Sequence, residues 1–400
     1  MRIFNLTVFV AAFGYFVDIF DLSLFGILRV QSLKELGYSD KLLDYGILLL
    51  NFQMFGMLIG GIIWGIIGDK IGRKTILFGS ILLFSIGNIL NAFVSDIYQY
   101  AILRFITGIG LAGELGAAIT LVSEILDKEI RGYGNTIIAS FGLLGAVFAS
   151  LMSDIFHWRI MYFIGGVLGI LLFILRLKTI ESSIFQRAKL LDVKRGDFIG
   201  IFTNLNRAFR YFRILLLGLP IWFVFSILIT FSPEVAKALN LNINVQASKS
   251  IMFAYFGISL GDMVCGILSQ RLKSRKKPIY IFLILLFLTM IFYFYFNKNN
   301  YALFYFYNFL LGFFTGYWVL FLTMGAEQFG TNIRATVVTT LPNFIRGSVV
   351  IITFLFENLN KFFDFISSAL ILGSIIIIIS FLILFKIEET FAKDLNFVEE

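Results

Sequence analysis

Twelve apolar runs, each roughly 18 to 25 residues long, divide this chain, and each is long enough to cross a hydrocarbon core of about 30 Å as a helix. They fall near 5–30, 45–67, 75–94, 97–123, 132–153, 159–177, 213–231, 248–269, 278–296, 301–325, 336–357 and 366–386. Hydrocarbon offers the backbone no hydrogen-bond partners, so such a run must satisfy its own N–H and C=O groups as an α-helix. With 59% hydrophobic residues and only 14% charged ones among 400, the chain lacks the polar surface of a soluble globule. An all-α integral membrane protein with twelve transmembrane helices is expected.

The runs form two similar sets. Between runs 2 and 3 lies Gly65-Ile66-Ile67-Gly68-Asp69-Lys70-Ile71-Gly72-Arg73-Lys74, and a fainter copy stretches from Gly266 to Lys276 between runs 8 and 9. An offset of 201 residues (257 − 56) pairs Phe55-Gly56 with Phe256-Gly257, Gly60 with Gly261 and Gly65 with Gly266. Two similar membrane halves facing across a shared cavity are the architecture of a secondary transporter. The expected division is a six-helix bundle over 1–177, a cytoplasmic linker over 178–212, a second six-helix bundle over 213–390 and a cytoplasmic tail over 391–400. A pseudo-two-fold axis relates the bundles and puts both loops on one face.

Charge sorts by side. With the amino terminus inside, most of the 33 Lys and Arg fall in cytoplasmic loops, above all between Arg176 and Arg213, so both termini are expected to be cytoplasmic. The first run contains Asp18 and Asp21 and no small-residue cleavage site, so it is expected to persist as a helix rather than serve as a signal peptide. One Cys and one His give neither a disulfide nor a metal site, and no cofactor is expected. No phosphate loop of the right spacing is present, so ATP is not an expected partner, and because the positive charge sorts by membrane side nucleic acid is not expected either. No convergent catalytic set stands in the runs, so the chain is not expected to be an enzyme.

The loop residues carry a family resemblance. Gly65, Asp69, Lys70, Gly72, Arg73 and Lys74 match the G-x-x-x-D-[RK]-x-G-R-[RK] loop of the major facilitator superfamily. Arg104-x-x-x-Gly108-x-Gly110 in run 4 resembles its second motif, and Glu124 to Arg131 resembles the E-x-x-P-x-x-x-R-G end of that helix in sugar and metabolite symporters. Glu327 to Arg334 repeats the spacing after run 10, with Asp127 and Gly330 standing where Pro is usual. Gln270 and Lys273 replace the acid and the second Gly of the copied loop, so the charge relay is expected to be stronger in the first half. Physically these loops suit latches: Asp69 and Arg73 can pair with Glu124 and Arg131 in one arrangement of helices and part in another.

Ionisable groups inside the bilayer are expensive and mark function by default. Asp18 and Asp21 share one face of run 1. At about 1.5 Å per residue, Asp21 and Arg104 fall at one depth and Asp262 and Arg346 at another, so two pairs are expected. Glu114 shows no obvious partner and is the first candidate for carrying a proton, followed by Asp18 and Asp21. Substrate candidates are Arg104, Arg346, Asp262, Tyr307, Tyr317, Trp318 and Asn343. Of these, Asn343 and Arg346 follow Pro342, whose missing amide loosens run 11.

Helix 5 reads Phe141-Gly142-Leu143-Leu144-Gly145-Ala146 without the Pro of many drug antiporters, which disfavours export. The resemblance therefore implies a proton-coupled symporter that imports a small polar or anionic metabolite, such as an amino acid, an organic acid or a carboxylate-type siderophore. The alternatives are an exporter or antiporter and, behind these, a non-transporting membrane sensor. The expected setting is a bacterial inner membrane, with a small-molecule substrate, protons and the lipid bilayer as partners and a monomeric chain.

Overall fold

The structure, a computed structural model, describes residues 6–126, 131–177, 196–242, 244–297, 300–393 and 397–399. Among these are 12 helical spans long and apolar enough to cross a membrane: Val8–Glu35, Ser39–Lys70, Lys74–Asn91, Ile97–Val122, Gly132–Ser153, Trp158–Arg176, Leu205–Ile229, Ala247–Leu272, Lys276–Tyr295, Tyr301–Gln328, Arg334–Leu359 and Phe365–Lys386, here spans 1 to 12. They answer the expected runs one for one. Span 7 starts at Leu205 rather than 213, so Arg207, Arg210 and Arg213 lie on a helix, preceded by a short helix over Phe198–Thr203. The rest of the expected linker, 178–195, lies outside the described residues.

The duplication has a physical basis in close backbone contact. A methyl group at Gly56 or Gly60 would collide with the Phe105 or Ile109 carbonyl of span 4, and one at Gly257 or Gly261 with the Phe309 or Phe313 carbonyl of span 10. Equivalent glycines therefore let span 2 lie on span 4 and span 8 on span 10. Across the two halves, span 2 packs along span 11 and span 5 along span 8. Large apolar side chains such as Phe93, Phe148, Phe292 and Phe354 remain exposed around the rim, where hydrocarbon rather than water is their solvent.

Spans 4, 7, 10 and 11 are interrupted. Span 4 comprises Ile97–Leu111 and Glu114–Ile125, and span 10 comprises Tyr301–Phe314 and Trp318–Gln328. Span 11 comprises Arg334–Gly347, containing Pro342, and Val349–Leu359. In span 7, Pro220 offers no amide to the Leu216 carbonyl, and a π-helical turn over Val224–Ile229 follows. Ser380 of span 12 donates to Leu216 O at 2.7 Å instead, and the Tyr317 hydroxyl donates to Leu217 O at 3.1 Å. Irregular backbone at this depth persists only where protein groups re-satisfy it.

A chain of contacts links the two repeated loops at one end of the molecule. Asp69 meets Thr336, Arg334 donates to Ala326 O, and Arg275 pairs with Glu327. This end is called the turn face below, and the other the far face.

Candidate functional site

The centre of the molecule is an arginine between two indoles. Arg346, buried in span 11, has its guanidinium 5.6 Å from the Trp222 ring centroid and 5.8 Å from that of Trp318. Its Nη1 donates to Asn343 Oδ1 at 3.2 Å, while Asn343 Nδ2 donates at 2.7 Å both to Thr339 O in its own helix and to Ala112 O at the break of span 4. Trp318 is fixed by donation from its Nε1 to the Tyr15 hydroxyl at 3.2 Å. Tyr15, Ile19, Leu143, Trp222, Phe225, Tyr255, Trp318 and Arg346 enclose a cavity of about 20 Å³, room for about one water. Both halves contribute to it.

Asp18 stands on the span 1 side of this centre. It is fully buried, neither carboxylate oxygen has a hydrogen-bond partner among the described residues, and Arg346, Glu114 and Arg176 are the charges within its electrostatic reach. Asp21, one turn further on, lies against Gly165 of span 6. Its expected ion pair with Arg104 is not formed among the described residues. Asn88 lies beside Asp21 and accepts from Arg104 Nη1 at 3.3 Å, and the guanidinium lies over the Tyr162 ring at 5.3 Å. The two charges attract without touching.

Three further expectations are corrected. Asp262 does not pair with Arg346; its Oδ1 accepts the Val319 amide at 2.9 Å. The break in span 10 leaves the first amides of Trp318–Gln328 without intrahelical acceptors, and the carboxylate caps one of them. Glu114 is not partnerless: Arg176 Nη1 donates to it at 2.6 Å and Ser80 Oγ at 3.1 Å, both partners being buried. Arg176 belongs to the end of span 6 rather than to a solvated linker, and glycine at position 14 leaves the volume its guanidinium fills. Finally, Tyr317 is buried against the Leu217 carbonyl and Tyr307 packs on Tyr293 of span 9, so of the three expected aromatics only Trp318 reaches the cavity.

On the turn face Asp69 makes contacts across the halves. Asp69 Oδ2 accepts the Thr336 amide at 2.7 Å and its hydroxyl at 2.6 Å, capping the third residue of helix Arg334–Gly347. The expected partners within the first half are Glu124, which is buried, and Arg131; the side chains of Arg73 and Arg131 and the residue Asp127 lie outside the described residues. Gly65 approaches the Thr336 backbone, and Gly72 takes φ 140°, a region that favours glycine. Lys70 is exposed, and Lys74 Nζ lies over the Phe78 ring at 5.4 Å.

The second half has a relay of its own despite losing the acid at 270. Arg275 holds Glu327 through Nη2 at 2.9 Å and Nε at 3.2 Å, and Thr390 Oγ1 donates to the same carboxylate at 2.8 Å. Glu389, from beyond span 12, accepts the Arg275 amide at 2.8 Å, supplying an acid the loop itself lacks. Burial pushes the Glu389 carboxyl up, but bonds from Ser274 and the Arg275, Lys276 and Phe391 amides outweigh it and hold the group below the usual glutamate range.

On the far face a residue outside the candidates drawn from sequence forms an ion pair across the two halves. Arg29, buried at the far-face end of span 1, holds Glu234 with Nη1 and Nη2, each 3.0 Å from Oε1, and lies over the Phe231 ring at 4.7 Å. Outside it is a vestibule of about 630 Å³ lined by Gln31, Lys34, Asp154, Glu234 and Lys237 among others. Inside it a cavity of about 30 Å³ shares Trp222, Phe225 and Tyr255 with the central one. The spacing of Arg29 from Asp21, two turns along one helix, was the available signal for it.

Comparison with known proteins gives the same architecture. The structure of the proton:xylose symporter XylE bound to 6-bromo-6-deoxy-D-glucose superposes with a TM-score of 0.74 over 97% of each chain at 16% identity, a likeness of fold. The niacin transporter NiaP of Acinetobacter baylyi is 29% identical over 43% of this chain and 40% of its own length. The putative niacin/nicotinamide transporter NiaP of Bacillus subtilis is 34% identical over 36% of this chain and 35% of its own, so the matched region spans well under half of either relative. A probable 4-methylmuconolactone transporter of Cupriavidus pinatubonensis is 25% identical over 81% of this chain and 76% of its own length. The family model described as Major Facilitator Superfamily matches residues 11–353. This chain is a multi-pass membrane protein, and it belongs to the major facilitator superfamily.

Proposed function

We propose that this chain imports a small planar carboxylate together with a proton. The observation that carries the reading is Arg346 held between Trp222 and Trp318 beside Asp18. A guanidinium grips a carboxylate through two parallel N–H donors, and flanking indoles present flat faces to an unsaturated ring. Relatives named for niacin, benzoate and 4-hydroxybenzoate support this class over the amino acids and siderophores that the sequence alone left open. Arg104, walled off by Tyr162 and Asn88, serves Asp21 rather than the substrate in this reading.

Coupling follows from competition. Without substrate Asp18 and Arg346 neutralise each other; a substrate carboxylate takes over the guanidinium, and an unpaired buried carboxylate at Asp18 is tolerated only when protonated. Substrate and proton therefore load together from the far face, after Arg29 releases Glu234, and leave once Asp69 releases Thr336. The halves that rock are the bundles over 1–177 and 213–390, joined by 178–212 and followed by the tail 391–400. The chain works as a monomer in a bacterial inner membrane with both termini cytoplasmic.

Proteoliposomes given labelled niacin or benzoate test this directly. An inward proton gradient should drive accumulation that a protonophore abolishes, Arg346→Lys should lose most uptake, and Asp18→Asn should retain exchange while losing accumulation. Gradient-independent uptake of either probe, or uptake of neither, overturns the reading.

A further inference from the structure

Glu114 and Arg176 form a buried ion pair that neither substrate binding nor the gates require. Their position relative to Asp18 gives them a role. The Arg176 guanidinium fills the place of a side chain at Gly14, and Gly14 and Asp18 are four residues apart, hence on one stripe of span 1 with about 5–6 Å between their β-positions. Arg176 thus sits one turn from Asp18 along span 1, with its Nη1 turned to Glu114 at 2.6 Å. Ser80 Oγ steadies the other oxygen of Glu114 at 3.1 Å. Glu114 is in contact with Arg176, and Asp18 lies within electrostatic reach of both and of Arg346.

We propose that Glu114 is a positioning residue for the proton step, holding Arg176 away from Asp18 so that Asp18 answers chiefly to Arg346. This rests on the reading of Asp18 as the proton site. A cation free to settle on Asp18 would neutralise it permanently, and substrate arrival at Arg346 would no longer force proton uptake. With Glu114 in place, Arg176 is already neutralised, and the one exchangeable counter-charge of Asp18 is the one the substrate competes for. The other titratable or charged groups around Asp18 are Tyr15 and Asp21 on its own span and Tyr255 on span 8. Span 5 meets this stretch of span 1 with Gly142 against Tyr15 and Gly145 against the Phe16 carbonyl. None of these supplies a second cation.

Trp222 and Trp318 lie on Arg346, so their fluorescence reports the charge of its neighbour without any substrate. The full-length protein in lipid nanodiscs is titrated with acid, and Asp18→Asn identifies the Asp18 transition by abolishing it. In Glu114→Gln the midpoint should move toward acid by about one pH unit, a tenfold change in the protons needed. Glu114→Asp should restore most of the midpoint, and Glu114→Gln/Arg176→Gln should return it to or past the wild-type value. Ser80→Ala, which leaves the ion pair in place, should move it the same way by less and serves if Glu114→Gln misfolds. A midpoint unmoved in Glu114→Gln and Ser80→Ala, while Asp18→Asn still abolishes it, overturns this inference and leaves the proposed function standing. A titration that survives Asp18→Asn overturns both.

Discussion

Lys273 occupies the position where the first loop has Gly72, and both take positive φ, 46° and 140°. A lysine in the left-handed region at the end of helix Ala247–Leu272 carries a steric cost that glycine avoids. Lys273→Gly should therefore stabilise the protein by about 0.5–1 kcal/mol, read as a higher unfolding midpoint in detergent. Glu389 makes the opposite kind of contribution. Its carboxyl titrates below the usual range in the folded protein, so the stability it adds is present above the unfolded value and is lost as pH falls through the folded one. The stability gap between wild type and Glu389→Gln should be constant near neutral pH and close below about pH 4.3, and a gap that persists at acid pH would remove Glu389 from this role.

The elements are held by backbone contacts that side chains would block. Because Gly56 faces the Phe105 carbonyl as Gly257 faces that of Phe309, the two positions should respond alike to substitution. Gly56→Ala and Gly257→Ala should each destabilise by about 1–3 kcal/mol through overpacking. Thermal unfolding of the two variants checks this, and a loss confined to one half would mean that the repeat in sequence is not a repeat in packing.

At the level of the molecule each face carries a link between the two halves. Arg29 with Glu234 joins them at the far face and Asp69 with Thr336 at the turn face, and the proposed transport cycle breaks one link at a time. Removing either link should tip the balance in a known direction. Thr336→Val keeps the shape of the side chain and loses one bond to a carboxylate, about 1.5 kcal/mol, and should favour opening of the turn face about tenfold. Glu234→Gln should favour the far face. Distances between spin labels placed on the two halves at each face report both shifts, and a widening at the wrong face, or none, would show that these links do not gate.

The sequence by itself determined the membrane, the number of spans and the duplication, because hydropathy and glycine spacing are local in the chain and a helix rises by a fixed amount per residue. It also singled out Asp18, Arg104, Glu114, Asp262 and Arg346, all of them buried, since charge in hydrocarbon is conspicuous wherever it stands. Only the tertiary structure decided which of them meet. Depth along a helix says nothing of direction around it, and the breaks in spans 4, 10 and 11 reset that direction. Asp262 consequently turned to an amide freed by the span 10 break, Arg176 reached inward over Gly14 to Glu114, and Arg346 came to lie between two tryptophans that are 96 residues apart in the chain (318 − 222).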